Sequence, residues 1–117
     1  MRERLPDTRP SLTRKVELAG FDIYVTISFF PDGRPGELFV RIGKVGSTLA
    51  GLVDWAAQSI SIALQNGADW PSLVEKSLHQ AFPPADDASP SLRHAIMAAA
   101  DELVKQRQGQ LYAKENA

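Results

Sequence analysis

Phe21-Asp-Ile-Tyr-Val-Thr-Ile-Ser-Phe29 alternates apolar and polar side chains, the period of a strand with one buried face. Its odd positions are aromatic or β-branched, types that fit a pleated, half-buried surface. Upstream, Ser11–Ala19 has the same period, with Leu12, Val16 and Leu18 on one parity, Thr13, Lys15 and Glu17 on the other, and Gly20 as the break. Downstream, Pro31-Asp-Gly-Arg-Pro-Gly36 concentrates turn formers, because proline fixes φ and glycine supplies positive φ. Leu38, Val40 and Ile42 then form a third strand, with Glu37, Phe39 and Arg41 opposite. Antiparallel strands over 11–42 therefore open the chain.

After Gly43-Lys-Val-Gly46 the period lengthens to three and four. Ser47 or Thr48 is placed to cap a helix. Leu49, Leu52, Val53, Ala56, Ile60, Ala63 and Leu64 make one apolar stripe, which is expected to cover the apolar face of the sheet. Asn66-Gly67 supplies a left-handed stop. Asp69 followed by Trp70-Pro71 starts a second helix carrying Leu73, Val74, Leu78 and Phe82, ended by Pro83-Pro84. Past a polar connection at 85–88, Ser89-Pro90 has the form of the N-cap and first residue of a third helix, with stripe Leu92, Ala95, Ile96, Ala99, Leu103 and Val104. Its alanine-rich run, 95–100, lacks bulk, so the helix is expected to pack closely against another helix or subunit. Residues 1–10 form an irregular arm, helices occupy 47–107, and 109–117 form a frayed tail. The expected architecture is a single α+β domain: an antiparallel sheet of three or more strands followed by two or three helices packed on one face.

A chain of 117 residues suits one core. Its formal net charge of −1 lacks the positive field of a general nucleic-acid binder. The absence of cysteine removes disulfides, thiolate metal sites and thiol nucleophiles. His79 and His94 fit no helical two-histidine metal spacing, and neither has a partner placed by a catalytic motif, so both are read as packing or capping residues. Asp54 reads as a surface group. The amino terminus lacks an apolar targeting segment, and no run of about 18 apolar residues occurs. The expectation is a cytoplasmic protein without a membrane span, a metal or a cofactor.

Gly43-Lys-Val-Gly-Ser-Thr48 has the ingredients of a phosphate loop, but its lysine precedes the second glycine, whereas a true loop reads G-x-x-x-x-G-K-[ST]. A helix cap is the plainer reading, and an anion held on the N–H groups of Ser47 and Thr48 is the functional one. Arg9, Arg14, Arg34, Arg41 and Lys44 are the basic side chains placed to join such a site, by position beside the sheet edge or the glycine turn. Arg2, Arg4, Arg9, Arg14 and Lys15 crowd the amino-terminal segment, an arrangement able to clamp phosphates, but acidic Glu3, Asp7 and Glu17 interleave with them, and a solvated face is the plainer reading.

Several blocks nevertheless resemble a known family. Arg2-Glu-Arg-Leu-Pro-Asp-Thr-Arg9, Asp32-Gly-Arg-Pro-Gly-Glu37, Lys44-Val-Gly-Ser-Thr48 with Gly51-Leu52, Ile60-Ser-Ile-Ala-Leu-Gln65 and Leu73-Val-Glu-Lys76 resemble the TSCPD-type carboxy-terminal domain of adenosylcobalamin-dependent (class II) ribonucleotide reductases. The resemblance spans about Arg2 to Pro84. It implies a non-catalytic appendage in a nucleotide-related setting, since the family's radical chemistry resides in a large barrel. The family's cysteine-rich segment is absent. Ser77-Leu-His-Gln-Ala-Phe-Pro-Pro84 departs from the family's Ser-His-x-x-Phe-x-Pro pattern, and the helix from Ala85 onward reads as an addition to a stand-alone domain.

Two functions follow as expectations. The first is a non-catalytic binding module for a nucleotide-derived small molecule; one such use is a phage-type sponge, an anti-defence protein sequestering a cyclic nucleotide or cyclic ADP-ribose signal. The second is an interaction or regulatory subunit of a separately encoded ribonucleotide reductase. An enzyme is the weakest reading, because no nucleophile, base or metal constellation can be assembled. A homo-oligomer is expected from the alanine-rich third helix.

Overall fold

The computed structural model describes residues 2–43, 45–78 and 91–116. Three strands, β1 (Ser11–Leu18), β2 (Phe21–Phe29) and β3 (Pro35–Ile42), form an antiparallel meander in the order β1-β2-β3. Helices α1 (Ser47–Gln65), α2 (Trp70–Ser77) and α3 (Leu92–Glu115) follow. The architecture is the α+β arrangement expected, a three-stranded antiparallel sheet and then three helices.

Turn chemistry sets the register. Between β1 and β2, Ala19 and Gly20 both take positive φ, 50° and 88°, as a two-residue hairpin turn requires. Glu17 then faces Asp22 and Leu12 faces Ile27. The β2–β3 turn closes through Phe30 N–H to Arg34 O and Gly33 N–H to Phe30 O, both 2.9 Å, with Gly33 at φ 95°.

Alternation divides the sheet into two faces. Ile23, Val25, Ile27, Phe29, Leu38, Val40 and Leu18 are buried on one. The other carries the rows Lys15–Tyr24–Arg41, Thr13–Thr26–Phe39 and Ser11–Ser28–Glu37. Arg14 belongs by register to the apolar side, where it extends to Glu102 of α3 at 3.4 Å.

The covering of that apolar face differs from expectation. α3 lies over β1 and β2, whereas α1 runs along β3. The reason is hydrogen bonding as much as apolarity. β3 is an edge strand, and Leu38 turns its N–H and C=O out of the sheet to meet Ser61 Oγ of α1, at 2.9 and 3.1 Å. Gln65 Nε2 donates to Gly36 O at 3.0 Å in the same way. α1 thus satisfies the backbone groups that an open edge would expose. Its buried face is Val53, Ala57, Ser61, Leu64 and Gln65. That corrects the apolar stripe, because Leu52, one of its members, is 55% exposed.

The helix ends carry further corrections. Gly46, not Ser47 or Thr48, is the N-cap of α1, and no side chain caps it. At the other end Gly67 takes φ 93°, and Ala68 N–H bonds to Ala63 O and Gly67 N–H to Leu64 O, the paired stop expected of Asn66-Gly67. Asp69 caps α2 by accepting from Ser72 N–H at 3.1 Å. α2 ends at Ser77 with Leu78 as its C-cap; His79, Phe82 and Pro83-Pro84 lie outside the described residues. α3 is capped by Ser91, whose hydroxyl accepts from His94 N–H at 3.0 Å, in place of Ser89-Pro90, which also lie outside them.

α3 continues to Glu115, so the expected frayed tail at 109–117 is helical through 115. Leu111 explains the length: it packs where a Cβ on Gly33 would stand, anchoring the last turns against the β2–β3 turn. Ala95, Ala99 and Ala100 are buried within this chain. Their small size lets α3 approach the sheet. α2 is carried on α3, with Trp70 Nε1 donating to Asp101 Oδ1 at 3.0 Å. Among the described residues no helix is long and apolar enough to cross a membrane.

Candidate anion-binding site

The arm at residues 2–10 is irregular but held at several points. Glu3 N–H donates to Gln65 O at 2.7 Å, and Pro10 O accepts from Phe29 N–H at 2.9 Å. Arg2 Nε donates to Gln65 Oε1 at 2.6 Å. Arg9 reaches Glu37 at 3.0 Å and Pro6 O at 3.0 Å. Leu5 lies against Gly36, where a Cβ would stand 2.7 Å from Phe30 Cε2 and 3.0 Å from Leu5 Cδ1. Glycine at 36 is therefore what lets the arm, the strand and Phe30 close together. Gln65 is the centre of the arrangement, since one buried amide joins the arm to β3.

This docking gathers arginines. Arg2, Arg4 and Arg9 line a polar cleft of about 230 Å³ with Asp7, Glu37 and Gln65. Among the described residues Arg4 has no ion pair or hydrogen bond. Arg34 stands at the adjoining turn, with Glu3 at 3.0 Å and Asp32 at 2.7 Å, its guanidinium 4.6 Å from the Phe30 ring centre. The backbone N–H and then the side chain of Arg34 donate to Asp32 and hold its carboxyl below the usual range. The Asp32 and Glu3 carboxylates in turn raise the Arg34 guanidinium above its ordinary value. A second cleft, about 420 Å³, is lined by Arg34 and lies between the turn, the α1–α2 connection and α3, including Asp32, Asp69, Trp70, Gln108 and Leu111.

The basic and hydroxyl residues singled out in the sequence separate into groups. Arg9 lines the arm cleft, and Arg34 touches the arm separately, through Glu3. Ser47 and Thr48 begin α1, whose 19 residues put them about 27 Å from Gln65 at roughly 1.5 Å per residue. Arg41 shares a shallow pocket with Ala50, Val53 and Asp54 near that end of α1, and its guanidinium lies 5.3 Å from the Tyr24 ring centre. Arg14 is engaged with Glu102. Lys44 lies outside the described residues. The helix N-terminus and the arm arginines are therefore two places, and the expected convergence of Arg9 and Arg34 with Ser47 and Thr48 is not formed. Sequence reasoning saw Arg2 and Arg4 in the basic amino-terminal cluster but read that cluster first as a solvated face, and it left out Gln65; the signal that pointed to all three was their place in the resembling blocks. Among the described residues no cluster of histidine, aspartate and glutamate could hold a metal.

Those blocks meet in space: Arg2–Arg9 contacts Asp32–Glu37 and Gln65, the last residue of Ile60–Gln65. Comparison with known proteins gives the same blocks a family context. The model of the TSCPD domain matches residues 2–106. A vitamin B12-dependent ribonucleotide reductase of Rhodopirellula baltica is 46% identical over 88 residues, covering 75% of this chain and 8% of that protein. The enzymes of the same name from Streptantibioticus cattleyicolor and Agrobacterium fabrum are 35% identical over 100 residues and 34% over 84, covering 83% and 72% of this chain but 17% and 7% of theirs. The chain thus spans a small part of the curated relatives it matches. The family match passes Pro84 and takes in most of α3, which corrects the reading of that helix as an addition; α3 covers the sheet, so the domain needs it. No solved structure matches the chain.

Proposed function

The chain belongs to the TSCPD domain family, and from that premise we propose that it is a non-catalytic binding module for a phosphorylated, nucleotide-derived small molecule, held at the arm cleft. The observation that carries this reading is the convergence of Arg2, Arg4 and Arg9 on one small polar cleft. Guanidinium forks match phosphate oxygens bidentately. Glu37 and Gln65 hold Arg9 and Arg2 in place, so their order is established before a ligand arrives, which lowers the entropic cost of binding. Arg4 is the group left to close on the anion. The second cleft, lined by Arg34, falls within the roughly 300–1,000 Å³ of small-molecule sites and supplies room for a nucleoside. In the sponge form of this reading the protein acts in the cytoplasm, sequestering a cyclic nucleotide or cyclic ADP-ribose signal.

A second reading, an interaction or regulatory subunit of a ribonucleotide reductase, is favoured by the relatives, in which the matching region is part of a much longer reductase chain. Native mass spectrometry of protein purified from cells, before and after denaturation, separates the two. A released nucleotide-derived mass supports the module; a co-purifying reductase chain with no small-molecule mass overturns it in favour of the subunit.

A further inference from the structure

We propose that the outer side of α1 is the surface through which two copies of this chain associate, with Trp55 of each copy seated in the apolar cleft of the other. α1 carries a single charged residue, Asp54, in 19 positions, and Gln58 Nε2 bonds to that carboxylate at 2.8 Å. A helix whose outer side faces water ordinarily carries its charges there. Here the outer side presents Leu52, Trp55 and Ile62, which are 55%, 68% and 48% exposed, with the small Ser59 between them. Steps of three, four and three residues are the spacing of a helix–helix seam.

Beside that seam lies a socket. An apolar cleft of about 230 Å³ is bounded by Leu52, Ala56 and Ile60 of α1, Leu38 of β3, and Ile96 and Met97 of α3. It is smaller than the roughly 300–1,000 Å³ of small-molecule sites and nearly without polar groups to orient one. It suits one large apolar side chain, and Trp55 is the most exposed tryptophan available, since Trp70 is buried. Trp55 is next to Ala56 on the same helix, so knob and socket adjoin. A two-fold axis between them seats both indoles at once and closes the assembly, whereas a head-to-tail arrangement would leave one knob and one socket open. α1 brings one charge per copy, Asp54, and the socket lining one of opposite sign, Arg93, so two identical surfaces meet with little like-charge repulsion.

Sedimentation velocity from low to high micromolar concentration, with tryptophan emission read in parallel, tests this. The wild type is expected to dimerise, its emission shifting to the blue as Trp55 leaves water. Trp55→Ala, which removes the knob, and Ala56→Arg, which blocks the socket, are each expected to weaken association by roughly thirtyfold or more. Both positions are exposed, so the melting of the dilute monomers should not move. Mixing the two variants restores one of the two knob-in-socket contacts, and the mixture should associate more tightly than either alone. A wild type that stays monomeric at high micromolar concentration, a Trp55→Ala dimer as tight as wild type, or a mixture no tighter than its components overturns the proposal.

Discussion

Replacing Ser61 with alanine probes the device that places α1. Ser61 is 8% exposed, and its hydroxyl accepts from Leu38 N–H at 2.9 Å. Its single proton lies between Leu38 O at 3.1 Å and Ala57 O at 2.9 Å. Alanine removes that acceptor, leaving the N–H of Leu38, itself 3% exposed, buried without a partner. An unsatisfied buried group costs about 1–3 kcal/mol, while the change in side-chain volume is small. With unfolding entropy of about 2.1 cal/mol/K per residue, 1 kcal/mol corresponds to roughly 4 °C for a chain of this length, so Tm should fall by roughly 4–12 °C. Ser59→Ala is the control: the exposed Ser59 hydroxyl bonds to Trp55 O within the helix, and its loss should stay within about 0.5 kcal/mol. Urea unfolding of both variants at matched concentration gives the comparison. If Ser61→Ala is as stable as Ser59→Ala, edge satisfaction does not hold α1 on β3.

Other expectations follow from the same contacts. Ile60→Asp introduces a carboxylate at a residue packed against the core and should cost about 2 kcal/mol or more; unchanged melting would remove Ile60 from that contact. Gly36→Ala places a Cβ against Phe30 and Leu5 and should release the arm, seen as faster amide exchange at Glu3 with the sheet amides still protected. Asp32 titrates below its ordinary value because Arg34 donates to its charged form. Its contribution to the turn is therefore fully present above about pH 3.9 and lost as pH falls through the lowered value; carboxyl chemical shifts followed through acid, in wild type and Arg34→Ala, should show the Asp32 midpoint rising in the variant.

The strands were legible because period-two alternation, the break at Gly20 and the turn formers at 31–36 act within a few residues of themselves. The Asp69 cap and the Gly67 stop were legible for the same reason. α1 was found, but its rotation was not, since the residues that decide it, Ser61 and Gln65, are polar and bond to a strand edge that apolar periodicity does not register. The last turns of α3 were missed because Gln106-Arg-Gln-Gly-Gln110 carries no apolar stripe, and Leu111 reveals its role only once Gly33 stands beside it. Arg9 and Arg34 were found as basic residues flanking strands. The place of Arg9 beside Arg2, Arg4 and Gln65, and the reach of Arg34 to Glu3, depend on a chain reversal that brings the arm to the far end of α1, and spacing along the sequence does not contain it.

Isothermal titration calorimetry with mono-, di- and cyclic nucleotides, on wild type, Arg4→Ala, Arg9→Ala and Arg41→Ala, tests the proposed anion site most directly. The account predicts that one class of phosphorylated nucleotide binds the wild type. Loss of Arg4 or Arg9 should weaken that binding by roughly ten- to a hundredfold, the effect of removing one charged hydrogen-bonding partner, while Arg41→Ala leaves it unchanged. No heat from any nucleotide, or binding that survives both arm substitutions and fails with Arg41→Ala, would contradict it.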